Sequence, residues 1–133
     1  MSIVAIGIDL CSISHIEGVI ERNGTRFLDR CFTPQEQAEC GTGPTMPKSY
    51  AIRFAAKEAC MKAFGLGWAG GMRFIDIWVS HNERGAPSLH LAGFAAEYAE
   101  KLGVTSIHVS LSHERDMAVA VVILEGAARS NDE

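Results

Sequence analysis

The chain has 133 residues, of which 47% are apolar and 21% are charged, and its formal net charge at pH 7 is −4. These values fit one globular domain that buries its own apolar core, and they exclude a chain that is disordered throughout. The acidic balance argues against a general nucleic-acid-binding protein, because that class carries a surplus of basic residues.

The N-terminal sequence and the cysteines indicate where the protein works. MSIVAIGIDL lacks a basic start, and Asp9 interrupts its apolar run, so we expect no signal peptide. No apolar stretch reaches the ~20 residues that a membrane span needs. The four cysteines form no CxxC pair and no zinc-like spacing, which favours reduced thiols. We therefore predict a cytoplasmic protein without a membrane segment.

The first part of the chain predicts a strand followed by short helices. Residues 3–9 are apolar and rich in β-branched side chains, which is typical of a buried strand that ends at Asp9. Ser12 or Ser14 can cap the helix that follows, and an Asn-Gly pair at 23–24 ends it. TRFLDRCF predicts a second short helix. TPQE, at 33–36, is a helix start with a Thr cap, a Pro and a Glu three residues after the cap.

The second part predicts a long helix and two pairs of strands. A loop over 41–47 precedes a helix over about 48–64, which Gly65 closes, and the glycine-rich GLGWAGGM follows. RFIDIWVSH and SLHLAG predict a hairpin, FAAEYAEKLGV a helix, and SIHVSLSHE and MAVAVVIL a second antiparallel pair. The order indicates an α+β fold in a single compact domain over 1–125, with antiparallel strands packed on the long central helix. Residues 126–133 read as a flexible tail.

Two acidic side chains and a lysine are the first candidates for chemistry. Glu58 and Lys62 are four residues apart and share one face of the long helix. Either they form a surface pair that stabilises the helix by about 0.2–0.5 kcal/mol, or they belong to a site. Their spacing alone favours the surface pair, whereas the apolar residues around them argue for a site, since a desolvated carboxylate needs a cation. Asp9 is either a helix cap or a second carboxylate, and Asp9 with Glu58 could hold Mg²⁺.

Basic residues of the long helix and a histidine could complete a ligand pocket. Lys48, Arg53 and Lys62 could bind a phosphate-rich ligand, and the glycines from Gly65 onward could let backbone N–H groups approach it. The alternative is a helix with solvated basic edges. His113 comes at the end of a predicted strand, where either a structural or a catalytic role is possible.

A second set of basic residues recurs every four positions before the long helix. It forms either an ordinary solvated surface or a dock for an acidic partner, and it consists of Arg22, Arg26 and Arg30.

Three stretches carry a family resemblance. IGIDL near the N-terminus, RFAAKEACMKAFG in the middle and HVSLSHE near the C-terminus resemble, in this order and spacing, the bacterial holo-acyl-carrier-protein synthases. These are small 4'-phosphopantetheinyl transferases, and the resemblance covers residues 3–124. It implies the α+β fold of that family, assembled from three chains with active sites between neighbours. It also implies Mg²⁺-dependent transfer of the 4'-phosphopantetheine arm of coenzyme A to a serine of apo acyl carrier protein, with adenosine 3',5'-bisphosphate leaving.

The same resemblance implies a role for each candidate residue. Asp9 and Glu58 would hold Mg²⁺ on the pyrophosphate, and Lys62 would contact the phosphate. The nucleotide phosphates would face Lys48 and Arg53. The coenzyme A pocket would be lined by Gly65, Gly67 and His113. The acidic helix of the carrier protein would meet Arg22, Arg26 and Arg30.

Two other functions fit the same sequence. One is a non-catalytic carrier-protein-binding module of this fold, against which the presence of Asp9, Glu58 and Lys62 argues. The other is a Mg²⁺-dependent pyrophosphate hydrolase, for which no residue stands out as a water-positioning base. For the transferase, the base for the serine is Glu58, Asp9 or a metal-bound water, and the carrier is of the fatty acid or the polyketide type.

Overall fold

The computed structural model describes residues 1–66 and 70–127. The elements follow one another as β1 (Ser2–Ser12), α1 (Ile13–Asn23), α2 (Thr25–Cys31), α3 (Pro34–Cys40), α4 (Met46–Phe64), β2 (Ile77–His81), β3 (Pro87–Leu91), α5 (Gly93–Lys101), β4 (Val104–Glu114) and β5 (Met117–Gly126). Three of these strands form an antiparallel sheet in the order β1-β5-β4, and β2 and β3 form a separate antiparallel hairpin. The predicted α+β architecture is confirmed, with the sheet packed on the long helix α4.

The helix boundaries follow the predicted capping signals. The Ser12 Oγ accepts a hydrogen bond from the His15 N–H at 3.1 Å and caps α1. At α3, the Thr33 Oγ1 accepts from the Glu36 N–H at 3.2 Å, and Glu36 Oε1 accepts from the Thr33 N–H at 3.0 Å. Both halves of the predicted capping box are therefore present. Gly65 ends α4 in the left-handed region, with φ 74°.

The predicted starts of the long helix and of the first hairpin strand are wrong, each for a local reason. Helix α4 begins at Met46, inside the predicted loop, because a proline in the first turn needs no intrahelical N–H bond. The strand predicted from RFIDIWVSH begins only at Ile77, since residues 74–76 form a 3₁₀ turn. Arg73 Nε and Nη2 each donate to the Asp76 carboxylate at 3.0 Å, which holds this turn.

Near the C-terminus, β5 extends to Gly126, one residue into the predicted tail. Residues 128–133 lie outside the described part of the chain, so the flexible tail stays a prediction.

The core forms where α4 crosses the sheet. Helix α4 presents small residues, of which Ala55, Ala56 and Ala59 have no exposed surface. Strand β5 supplies the opposite side of this contact with Ala118, Ala120, Val122 and Leu124, which are also fully buried. None of the helices in the described ranges has the length and apolar character that crossing a membrane requires.

The start of α1 is fastened to the turn between β4 and β5. Asp116, in that turn, accepts hydrogen bonds from the Ser12 and Ser14 hydroxyls at 2.7 Å and from the Ser14 N–H at 2.8 Å. These bonds stabilise the carboxylate and hold the pKa of Asp116 below its ordinary value. The position of α1 is therefore set by the sheet rather than by its own sequence alone.

The second face of the sheet is apolar and exposed along β1. Ile6, Ile8 and Leu10 are 58%, 58% and 63% exposed, respectively. They lie opposite Ile123, Val121 and Val119 of β5 in the antiparallel register. Such a row of large exposed apolar side chains differs from the scattered exposure that is usual on a monomer.

Candidate active site

Asp9 and Lys62 meet where β1 passes under α4. Asp9 lies opposite Ala120, so its side chain is on the face of the sheet that α4 covers. The Lys62 Nζ donates to Asp9 Oδ1 at 2.8 Å, with the Asp9 side chain 13% exposed and the Lys62 side chain 58% exposed. The sequence predicted that Asp9 ends the strand. The strand instead continues to Ser12, so Asp9 lies within β1.

Glu58 is the third member of this cluster, one helical turn before Lys62. Burial raises the pKa of Glu58, the negative charge of Asp9 raises it further, and the Lys62 ammonium opposes both effects. The hydrogen bond and charge of Asp9 likewise raise the pKa of Lys62. The two carboxylates are thus close enough to repel each other, and a cation between them would relieve that repulsion.

The donor set of this cluster suits Mg²⁺. Among the residues that the structure describes, no group of three or more His, Cys, Asp or Glu side chains could hold a metal ion. A site of two carboxylates is the usual protein contribution to Mg²⁺, which keeps several waters and binds substrate phosphates as well. Asp9 and Glu58 therefore fit a magnesium ion that is completed by a phosphate ligand.

Arg53 lies on a different side of α4. It is five residues before Glu58, which turns its side chain about 140° away around the helix. Its guanidinium is buried and donates to Glu39 Oε1 at 3.1 Å and to the Ser49 carbonyl at 3.2 Å. The Arg53 Nη2 also lies 3.4 Å from His81 Nδ1, and burial together with this guanidinium lowers the pKa of His81.

The other candidates for the coenzyme A pocket are spread along the same helix and sheet. Lys48 is half-buried and precedes Glu58 by ten residues, or about 15 Å of helix. Gly65 ends α4, three residues after Lys62. His113 is exposed on β4 and lies opposite Ala118, on the face that α4 covers. Since β5 separates β4 from β1, His113 and Asp9 are about 10 Å apart or more. Gly67 lies outside the described residues.

Two of the three predicted docking arginines line one cleft. Arg26, Arg30, Phe27 and Phe54 border a cleft of about 250 Å³. Phe54 is one turn before Glu58 on α4, so the cleft lies beside the carboxylate cluster. A neighbouring cleft of about 370 Å³ shares Arg30 with it.

The third docking candidate, Arg22, lies on α1 and does not border either cleft. The predicted helix break between it and Arg26 is confirmed, with α1 ending at Asn23 and α2 beginning at Thr25. The three arginines therefore do not form one continuous helical stripe.

Two residues of the elements that form the site, Lys57 of α4 and Gly7 of β1, had no role in the sequence-based predictions. Lys57 is buried and ion-paired with Glu36. Gly7 belongs to the quoted IGIDL motif, and a glycine inside a strand is a known sign of close backbone approach. The signal for Gly7 was thus visible, whereas a partner for Lys57 is not readable from a linear sequence.

Comparison with known proteins gives the class and then the family. The fold is that of a small single-domain α+β protein, in which two carboxylates and a lysine lie between the sheet and the long helix. The family model of the 4'-phosphopantetheinyl transferase superfamily matches residues 5–122, and the chain belongs to this superfamily. The resemblance found in the motifs is confirmed.

Individual relatives agree over almost the whole chain. The chain is 46% identical over 126 residues to the holo-[acyl-carrier-protein] synthase of Alkalilimnicola ehrlichii, covering 94% of this chain and 98% of the relative. The crystal structure of the Neisseria meningitidis synthase matches with a TM-score of 0.84 and 32% identity, over 92% of this chain and 98% of that one. The Helicobacter pylori synthase, solved in complex with coenzyme A, matches with a TM-score of 0.79 and 35% identity, over 90% of this chain and 99% of that one.

Proposed function

We propose that the protein transfers the 4'-phosphopantetheine arm of coenzyme A to a serine of an apo acyl carrier protein. The observation that carries the proposal is the cluster of Asp9, Glu58 and Lys62 on the fold of this superfamily. The relatives named as holo-[acyl-carrier-protein] synthases and the coenzyme A complex of one of them support it.

The reaction is a displacement at phosphorus. The serine oxygen bonds to the phosphorus that carries the pantetheine arm, the bond from this phosphorus to the bridging oxygen breaks, and adenosine 3',5'-bisphosphate leaves. The serine proton passes to a base, for which Glu58, Asp9 and a bound water remain the candidates. Little covalent chemistry falls to the protein, so positioning and charge stabilisation dominate.

The cluster supplies both of these contributions. Asp9 and Glu58 would hold Mg²⁺, which when bound neutralises charge on the pyrophosphate oxygens. Lys62 is protonated at neutral pH, and its exposed ammonium can exchange the Asp9 oxygen for a phosphate oxygen. Lys48, Arg53, Gly65, Gly67 and His113 are proposed to line the coenzyme A pocket. A nucleotide phosphate at Arg53 would compete with Glu39 for the guanidinium.

We further propose that three chains assemble through the exposed apolar face of β1. Burial of Ile6, Ile8 and Leu10 against neighbours would remove them from water. A coenzyme A pocket between neighbouring chains would account for the distance between His113 and Asp9 within one chain. The cleft of Arg26 and Arg30 would receive the acidic carrier protein beside Glu58. This activity on coenzyme A fits a cytoplasmic enzyme of fatty acid biosynthesis.

The test is a transfer assay with mass detection. The protein is incubated with coenzyme A, Mg²⁺ and an apo acyl carrier protein, and the carrier is weighed by mass spectrometry. We expect the carrier to gain one phosphopantetheine, and Glu58→Gln to abolish the gain while leaving the far-ultraviolet circular dichroism unchanged. No gain with several fatty acid and polyketide carriers would refute the proposal, and cleavage of coenzyme A without any carrier would indicate a hydrolase.

A further inference from the structure

The backbone of helix α4 comes very close to the backbone of β1 at Gly7. A Cβ atom added to Gly7 would lie 1.9 Å from the Ala59 carbonyl oxygen and 2.7 Å from the Ala63 nitrogen. Real Cβ atoms essentially never come within 3.0 Å of such neighbours, so the helix could not keep its position over any other residue. Gly7 has no positive φ, so the requirement is one of space and not of backbone conformation.

The two atoms above Gly7 belong to the helical turn that carries the proposed chemistry. The Ala63 N–H and the Ala59 carbonyl are the partners of one i to i−4 helix bond. Glu58 immediately precedes Ala59, and Lys62 immediately precedes Ala63. Gly7 therefore bears directly on the backbone from which both Glu58 and Lys62 project.

Gly7 also lies next to the third member of the cluster on the same face. It is two residues before Asp9 in β1, and neighbours at this spacing point to the same side of a sheet. Gly7 lies opposite Val122 and Asp9 opposite Ala120, both of which are fully buried under α4. The contact at Gly7 thus joins the strand that carries Asp9 to the helical turn that carries Glu58 and Lys62.

We propose that Gly7 is a positioning residue that sets the distance between the Asp9 and Glu58 carboxylates. The inference rests on the proposed function, in which these carboxylates hold Mg²⁺. A methyl group at position 7 would push the turn away by about 1 Å, a displacement that can lower the rate about 10²-fold. Mg²⁺ demands near-ideal octahedral geometry, so its affinity is the property most sensitive to this spacing.

A second glycine of the sheet provides a matched control. A Cβ added to Gly126 would lie 2.0 Å from the Gly103 carbonyl oxygen, an equally tight backbone contact. Gly126 lies opposite Ser2, seven residues along β1 from Asp9, or roughly 20 Å away. Gly7→Ala and Gly126→Ala therefore both add a methyl group at a tight backbone contact. Gly7 is close to the candidate site, whereas Gly126 is far from it.

The experiment compares Mg²⁺ binding and turnover in the two variants and the wild type. Mg²⁺ binding is measured by calorimetry on the protein with adenosine 3',5'-bisphosphate, and kcat and the KM for carrier protein by the transfer assay. For Gly7→Ala we expect the Kd for Mg²⁺ to rise about tenfold or more and kcat to fall about 10²-fold, with the carrier KM unchanged. For Gly126→Ala we expect Kd and kcat close to the wild-type values. Urea unfolding confirms that each variant is folded.

The outcomes separate this inference from the proposed function. Equal Mg²⁺ affinity in Gly7→Ala and Gly126→Ala, with a wild type that needs Mg²⁺, would overturn the role of Gly7 alone. A wild type that transfers the arm without Mg²⁺ would overturn the metal role itself, and the inference with it. If Gly7→Ala does not fold, Ala59→Ser adds one atom to a fully buried side chain on the same turn, with Ala99→Ser on α5 as its control. Unchanged Mg²⁺ affinity in Ala59→Ser would then overturn the inference.

Discussion

The Nζ of Lys57 lies 2.7 Å from Oε1 of Glu36, and neither side chain has any exposed surface. Lys57 also donates to the Phe74 carbonyl at 3.1 Å and to the Ile77 carbonyl, while Glu36 Oε2 accepts from the Val79 N–H at 3.0 Å. Burial lowers the pKa of Lys57, and the Glu36 carboxylate opposes this effect. The pair connects α3, α4 and β2, and its charges are fully hydrogen-bonded.

Removing one member of this pair should destabilise the fold strongly. Lys57→Met leaves the Glu36 carboxylate buried without a counter-ion, and we expect the free energy of unfolding to fall by about 3–5 kcal/mol. The double variant Glu36→Gln with Lys57→Met should lose less than the sum of the single variants. Urea unfolding measures all three, and Lys101→Met, at an exposed position on α5, should stay within about 0.5 kcal/mol of wild type. Additive losses would contradict the pairing.

Glu58 should make stability depend on pH in the metal-free protein. Its pKa is raised above the ordinary 4.5 in the folded state, so the folded protein binds this proton more tightly than the unfolded chain does. The stabilising contribution of the proton is present at low pH and is lost as the pH rises through the ordinary pKa and on through the raised one. With EDTA present, Glu58→Gln should therefore gain stability over wild type as the pH rises from about 4 to about 7. A difference in urea midpoint that stays constant over this range would contradict the raised pKa.

A charge on the exposed face of β1 should prevent assembly. Ile8→Glu places a carboxylate at a residue that is 58% exposed in the single chain and is proposed to be buried between chains. We expect light scattering to give the mass of three chains for wild type and of one chain for Ile8→Glu, with transfer activity lost in parallel. Phe94→Glu, at an exposed apolar residue of α5, should leave the assembly intact. A wild-type protein that remains monomeric at high concentration would refute the trimer.

Reversal of a docking charge should affect one substrate only. Arg26→Glu alters the cleft beside Phe54, and we expect the KM for carrier protein to rise about tenfold or more while the KM for coenzyme A does not change. The effect should diminish at high salt, because the attraction is screened. Lys101→Glu makes the same change in net charge away from the cleft and should leave both constants unaltered. Equal increases for both substrates would refute the docking role.

The four thiols should be unreactive in the folded protein. All four cysteines are buried, and burial raises the pKa of Cys11, Cys31 and Cys40 to about 11 and that of Cys60 to about 12. At pH 8, a pKa of 11 leaves only about one thiol in a thousand as the reactive thiolate. We expect Ellman's reagent to detect four thiols in urea and almost none without it. Rapid reaction of one thiol in the native state would contradict this burial.

The sequence predicted what depends on neighbouring residues and missed what depends on distant ones. The Thr33 cap and the Gly65 stop were readable because each acts within a few residues of itself. The 3₁₀ turn before Ile77 was missed because β-branched and aromatic residues favour a strand, and because the turn is also held from a distance by the Ala92 N–H, which donates to the Asp76 carbonyl at 2.8 Å.

The candidate site also contains one feature that neighbouring residues predict and one that depends on distant residues. Glu58 and Lys62 share a helix face by spacing alone, but only the packing of α4 on β1 brings Asp9 to them. The family resemblance could supply that pairing, whereas residue spacing left it open. Lys57 looked like one more charge of the same helix, and its distinct role becomes visible only with Glu36 and β2 in place.

Glu36 both accepts hydrogen bonds from backbone amides and pairs with Lys57, which affects local opening of the native state. An isolated helix of seven residues is unstable in water, so the amide hydrogens at the start of α3 would normally exchange rapidly by local fraying. Here the Thr33 and Val79 amides both donate to the carboxylate that holds Lys57. Both amides are therefore held by a buried charged group, and we expect both hydrogens to exchange with solvent far more slowly than the fraying of a seven-residue helix would allow.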